Sequence, residues 1–417
     1  MGMTLAEKIL ARKSGKQEVR PGDYLTADID LAMAHESFAG AYLNLASAGI
    51  QKVWDPDRVV VVLDHYVPAP TERSAGIHQI VRSAVEQLGI KHFYDEGRGI
   101  CHQILPEEGH VCPGDLIVGA DSHTTTYGAF GAAGTGIGMS EMAYVLATGK
   151  LWFRVPSSIR FQLNGMLPRR VMSKDIILHI AGKYRAEVAQ YRSVEFSGPT
   201  AGSLSVDGRM TMSNMALELG AKFGFFEPDE KTIAYLETRV KGPIDPIRAD
   251  ADVSYEEVYE VDVSGLEPQI ALPWTVDNVK PVSEVGEVAV NQAVIGSCTN
   301  GRAEDLEVSA EILRNKKIHP RTRLLVFPAS RAIYQEALRK GWLEALSEAG
   351  ASICPPGCGV CFGAHMGLLA AGESCVASIN RNFRGRMGSN DARVYLGSPA
   401  TVAASAIEGK IADPRGY

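Results

Sequence analysis

Three cysteines carry most of the chemistry open to this sequence. Cys358 and Cys361 stand in "PGCGVC", and Cys298 stands well upstream in "GSCTN". A Cys-x-x-Cys pair suits a structural zinc ion, a redox disulfide or an iron-sulfur cluster, so the spacing alone leaves all three open. A thioredoxin-like pair needs no distant third thiol. Here Cys298 offers one, and Gly357 and Gly359 on either side of Cys358 let the backbone approach something bulky. A cube of four irons and four sulfides has four corners; three thiolates cover three and leave one iron free to act as a Lewis acid. Cys354 would close that corner, but it sits before a double proline on an apolar stretch and reads as a core thiol, as do Cys101, Cys112 and Cys375. Cys101, His102, His110 and Cys112 match no common zinc spacing.

Titratable groups gather where apolar runs stop. "RVVVVLDHYVP" ends in Asp64 and His65, "DLIVGADSHTTT" runs into Asp121, Ser122 and His123, and "CVASI" leads to Asn380, Arg381 and Arg386 in "NRNFRGR". A carboxylate beside an imidazole is a proton donor in waiting, and arginines are planar, permanently charged anchors for a di- or tricarboxylate. Singly, each has a plain structural role: Asp64 and His65 a turn, Asp121 a strand-ending cap, Glu195 in "VEFSGP" an ion-pair partner. Their conjunction with the thiols favours catalysis. The glycine run "GAAGTGIGMSE" lacks the acidic residue that a dinucleotide fingerprint asks for on the next strand, and is read as close packing at a helix start.

Positioning such groups is the work of strands that alternate with helices. "LAMAHESFAGAYLNLASAG" predicts an amphipathic helix carrying Leu31, Ala34, Phe38, Ala41, Leu45 and Ala48. A second unit is expected from about residue 156. The proline-rich "GLEPQIALPWTVDNVKPVSEVG" reads as an extended connection to a third, where five short apolar runs alternate with helical stretches. The expected fold is therefore α/β, with three domains at 1–155, 156–265 and 266–417 and mainly parallel sheets. The site should lie at the carboxyl ends of the strands, between the domains.

Composition narrows the class. With 417 residues, 45% apolar and 22% charged, this is an ordinary globular chain, and its net charge of -7 without a Lys/Arg-dense run argues against nucleic acid or an anionic membrane as partner. Apolar runs such as "VVVVL" are strand-sized, far below the ~20 residues of a membrane span. Seven cysteines without a signal-type apolar segment suit reduced thiols and a cytoplasmic location.

Taken in order along the whole chain, "DH" at 64 and 65, "HQ" at 102 and 103, "GADSHTTTYGAFGAAGTGIG", "VEFSGP", "LEPQIALPW", "GSCTN", "PGCGVC" and "NRNFRGR" resemble the aconitase superfamily of iron-sulfur hydro-lyases. The likeness is greatest to the large subunits of its two-part members, which handle isopropylmalate or homoaconitate and correspond to the first three domains of single-chain aconitases. The resemblance implies a 4Fe-4S cluster on Cys298, Cys358 and Cys361. It implies that Asp64 and His65 protonate a departing hydroxyl, that His102, Asp121 and His123 surround iron-bound water, and that Ser122 touches a substrate carboxylate. Glu195 would steady the histidines, and Asn380, Arg381 and Arg386 would anchor cluster and substrate. No "GSSRE"-like loop occurs, which implies a separate small subunit supplying the swivel domain and serine base. Around His35 the family's "HEVTSPQ"-type segment is replaced by "HESFAGA". The first expectation for the reaction is interconversion of 2- and 3-isopropylmalate in leucine synthesis. The alternatives are homoaconitate or a methyl- or dimethylmalate and, from other classes, a cluster-free RNA-binding regulator or a zinc-scaffolded binding module.

Overall fold

The computed structural model describes residues 2–417. It is a mixed α/β fold whose larger sheets are mainly parallel. The first has five strands in the order His92–Tyr94, Val59–Val62, Leu31–Ala34, Leu116–Gly119, Ala133–Gly136, parallel throughout. The second has four, Phe223–Phe226, Ser193–Ser197, Ser158–Asn164 and Glu257–Asp262, again all parallel. A two-stranded antiparallel ribbon, Tyr24–Asp28 against Lys150–Arg154, links these regions.

The third sheet has seven strands, and its parallel part runs Arg393–Leu396, Ser374–Ala377, Gln292–Ile295, Arg323–Val326, Ser352–Ile353. Each of the five apolar runs expected to be strands is one of these. The proline-rich segment differs from expectation. Rather than a bare connection, it forms the strands Gln269–Ala271 and Val279–Pro281, which add an antiparallel edge to the same sheet. Pro281 tolerates this because an edge strand has no ladder partner on one side.

The expected helix from Leu31 is corrected in the same way. Only Phe38–Ser47 is helical, whereas Leu31–Ala34 is the middle strand of the first sheet and buried along its whole length. A short all-apolar run looks alike in a buried helix and in a central parallel strand covered on both faces, so periodicity cannot choose between them. Packing ignores the sheet divisions. One core joins Met33, Val60 and Ile117 to Met210 and to Ile295, Leu306 and Val326; another joins Phe161 and Phe196 to Cys358, Cys361 and Val394. Loops at the strand ends are thereby clamped between regions.

Candidate active site

Cys298, Cys358 and Cys361 are free and buried. Cys298 follows the strand Gln292–Ile295 in a tight loop where Gly296 and Ser297 both have positive φ, of 146° and 73°. A Cβ at Gly296 would lie 2.6 Å from Phe327 Cβ, so glycine is required by space as well as by backbone. Asn380 follows the neighbouring strand Ser374–Ala377. Its Nδ2 donates to Cys298 Sγ at 3.2 Å, while its Oδ1 accepts from the Cys361 thiol at 3.3 Å. Asn214, on the helix Val206–Met215, also donates to Cys298 Sγ, at 3.3 Å. Below this, Lys174 gives its Nζ hydrogens to the carbonyls of Ser378 and Ile379, at 2.9 and 2.7 Å. Buried Arg302 holds the Cys298 and Thr299 carbonyls, at 2.8 and 2.7 Å.

The Cys358 thiol donates to Cys361 and, with the charges of Arg386 and His123, holds Cys361 below the usual thiol range against the effect of burial. Burial and the charge on Cys361 push Cys298 up.

A second group, of titratable side chains, packs against the first. The Cys358 N–H donates to the Asp64 carbonyl at 2.8 Å, tying the cysteine loop to the end of the strand Val59–Val62. Asp64 is fully buried; it accepts from His65 Nδ1 at 2.6 Å and from the Cys101 N–H at 2.7 Å. Burial alone would depress the His65 imidazole, but the charge and hydrogen bond of Asp64, helped by Glu36 and Asp121, outweigh it and raise the pKa to about 10. His65 stacks on His35 with ring centroids 4.1 Å apart, and Glu36 accepts the His65 and Tyr66 N–H groups at 3.0 and 2.9 Å. The segment that departs from the family pattern thus braces His65.

Asp121 is the hub of the histidines. Its Oδ1 accepts from His102 Nε2 and from the His123 N–H, both at 2.7 Å, and its Oδ2 lies 3.6 Å from His65 Nε2. Ser122 lies beside it, lining a cleft of about 640 Å³ with Gly136, Tyr191 and Lys222. His123 Nε2 contacts Glu218 Oε1 at 2.8 Å, and the same oxygen accepts from Arg381 Nε at 2.8 Å.

Glu195 is the expected site residue that the structure does not bring here. It accepts from the Leu5 N–H at 3.0 Å and the Tyr255 hydroxyl at 2.6 Å, with Arg160 3.6 Å away, so it clamps the N-terminal helix to the second sheet. Glu218 occupies the position expected of it. Glu218 and Asn214 stand four apart in "SNMALELG", a spacing with no motif value of its own, which is why both passed unnoticed. Cys101 is the buried core thiol expected, with its backbone N–H on Asp64. Cys354 ends the strand Ser352–Ile353 with its N–H on the Val326 carbonyl, Cys375 lies in the middle of a strand, and Cys112 is only half-buried.

The donor set fits a polynuclear cluster better than one zinc ion. A tetrahedral zinc with ~2.3 Å bonds needs sulfurs about 3.8 Å apart. Among the described residues, the one group of three or more such ligands mutually within 4.8 Å is His35, Glu36, Asp64 and His65, so the three sulfurs are not all within that distance of one another, although Cys358 and Cys361 are within hydrogen-bonding reach of each other. In that histidine-carboxylate group both Asp64 oxygens and Glu36 Oε1 accept the N–H donors named above, while Glu36 Oε2 is buried without a hydrogen-bond partner. Arg386 adds a buried Nε without a partner next to Cys361, as expected where an anionic group is to be received.

Comparison with known proteins shows the family. The model of the aconitase family (aconitate hydratase) matches residues 7–288 and 280–409. The chain is 53% identical to a 3-isopropylmalate dehydratase large subunit 1 from Methanopyrus kandleri, over 100% of both chains. It is 50% identical to a 3-isopropylmalate dehydratase large subunit from Aquifex aeolicus, over 99% of this chain and 97% of the other. A probable methanogen homoaconitase large subunit from Methanothermobacter thermautotrophicus is 49% identical, over 99% of this chain and 98% of the other.

Proposed function

The chain belongs to the aconitase family, and from that premise we propose that it is the large subunit of a hydro-lyase that interconverts 2- and 3-isopropylmalate by removing and returning water. The observation that carries this reading is the meeting of two groups: three buried thiols bridged in part by Asn380, and the Asp64–His65 pair, joined to them through the Cys358 N–H. Cys298, Cys358 and Cys361 would hold a 4Fe-4S cluster. When bound, that cluster supplies an iron that polarises the substrate hydroxyl and a carboxylate.

The remaining chemistry belongs to side chains. His65, kept as an imidazolium by Asp64, holds at Nε2 the proton that a departing hydroxyl requires. Asp121 orients His102 and His123 through its hydrogen bonds, with Glu218 behind His123. Arg381 and Arg386 supply charge for carboxylates, and Ser122 a hydroxyl at the cleft. A base for the carbon-bound proton is expected from a separate small subunit that closes over this face, in the cytoplasm. No helix among the described residues is long and apolar enough to cross a membrane.

Homoaconitate is the second reading, favoured by homoaconitase large subunits at 49% and 50% identity. The deciding experiment is anaerobic co-purification with the cognate small subunit, cluster reconstitution, and absorbance assays for the unsaturated acid from 3-isopropylmalate, homocitrate, citrate and dimethylmalate. Turnover of 3-isopropylmalate that requires the small chain supports the proposal. Turnover of homocitrate alone moves it to the second reading, and a colourless chain that takes up no iron defeats both.

A further inference from the structure

Lys174 is fully buried, on the first turn of the helix Ser173–Tyr184, and none of the roles above uses it. Its Nζ reaches the Ser378 and Ile379 carbonyls and lies 3.9 Å from Met215 Sδ. Among the described residues no carboxylate makes an ion pair with it. An ammonium without a counter-charge is costly to bury, and a neutral side chain would fill the same space more cheaply. Burial pushes Lys174 down to about 7, and against that work the charges of Cys361 first, then Asp305, Cys298 and Glu218. The two carbonyls it holds come immediately before Asn380, which spans Cys298 and Cys361. The asparagine is fully buried, and Ser378 also ties this strand end to the cysteine loop by accepting the Gly296 N–H at 3.0 Å.

We propose that Lys174 is a positioning residue for the sulfur site, fixing Asn380 between Cys298 and Cys361 through the two carbonyls and placing a buried positive charge beneath the thiolates. The inference rests on the cluster reading above. It predicts a role on an electrostatic readout that a mere packing residue would lack, because adding an electron to an anionic site is harder once a nearby cation is gone.

The test uses the full chain with its small subunit, loaded anaerobically with iron and sulfide, as wild type, Lys174→Met and Lys174→Arg. Folding is followed by circular dichroism, iron by content per chain, the cluster's midpoint potential by electron paramagnetic resonance titration, and its loss in air by absorbance. Lys174→Met is expected to fold and bind iron, with a midpoint moved to more negative values and cluster loss several-fold faster, and Lys174→Arg to return the midpoint toward wild type. Combined with Asn380→Ala, Lys174→Met should add less to the loss rate than it does alone, since both act on one element. An unchanged midpoint and lifetime in folded Lys174→Met overturn the inference, as does full additivity with Asn380→Ala. If the methionine variant does not fold, Lys174→Gln, which keeps two donors without the charge, is read by the same criteria. A wild type that takes up no iron and sulfide removes the cluster reading itself, a result distinct from a loaded wild type matched by its variants.

Discussion

Glu218 stands between His123 and Arg381, sharing one carboxylate oxygen with both at 2.8 Å. One anion thereby orients a member of the histidine group and an arginine from the far side of the site. Glu218→Gln keeps the shape but not the charge, and is expected to lower kcat by about 10²- to 10⁴-fold, the usual scale for a disturbed proton-transfer group. Glu195→Gln is the contrast. It should cost about 1–3 kcal/mol of stability, as a buried hydrogen-bonded group does when altered, and leave kcat per folded molecule unchanged. Paired urea titrations and steady-state assays read both effects.

His65 is expected to set the alkaline limit of activity. Its pKa of about 10 in the folded chain exceeds the ordinary 6.5. The contact therefore stabilises the fold fully below about 6.5, and that contribution is lost as pH rises through about 10. As proton donor it should support activity to about that pH. In Asp64→Asn the alkaline limb of kcat/KM is expected to move down by more than one pH unit, measured in buffers of constant ionic strength.

The thiols separate by replacement with serine. Cys361→Ser is expected to hold less than about a tenth of wild-type iron and to lose activity, because a hydroxyl at neutral pH is a poor substitute for a thiolate ligand. Cys354→Ser, on a strand end whose backbone N–H is already taken by Val326, is expected to load iron as wild type does. Iron content and visible absorbance of the anaerobic proteins decide it.

Gly359 has φ of 64°, and a Cβ there would meet Phe327 Cδ1 at 2.6 Å. Gly359→Ala is expected to leave the melting temperature within a few degrees yet shorten the lifetime of the loaded site in air several-fold, since the strain falls on the turn that carries Cys358 and Cys361.

The sequence was most readable where chemistry and secondary structure coincide. Cys298, Asn380 and Cys358 each follow an apolar run that proved to be a strand of one sheet, and adjacency of the strands before Cys298 and Asn380 brings their side chains into contact. Leu31–Ala34 was misread because four apolar residues carry no period. Glu195 and Glu218 differ in a way no local pattern records. One faces the N-terminal helix across 190 residues of sequence, and the other faces His123 across 95. Only tertiary packing decides which carboxylate meets a histidine.

The cysteine loop hangs from the Asp64 carbonyl, and the amide that touches two of the sulfurs enters at residue 380 of 417. Nothing resembling the finished pocket can exist on a growing polypeptide until residue 380 has been made. Under the proposed cluster, metal delivery is expected to be a late event in the life of each molecule: a donor of iron and sulfide would have to recognise a fold made through Asn380, and a product truncated before it would lack the amide that joins two of the sulfurs.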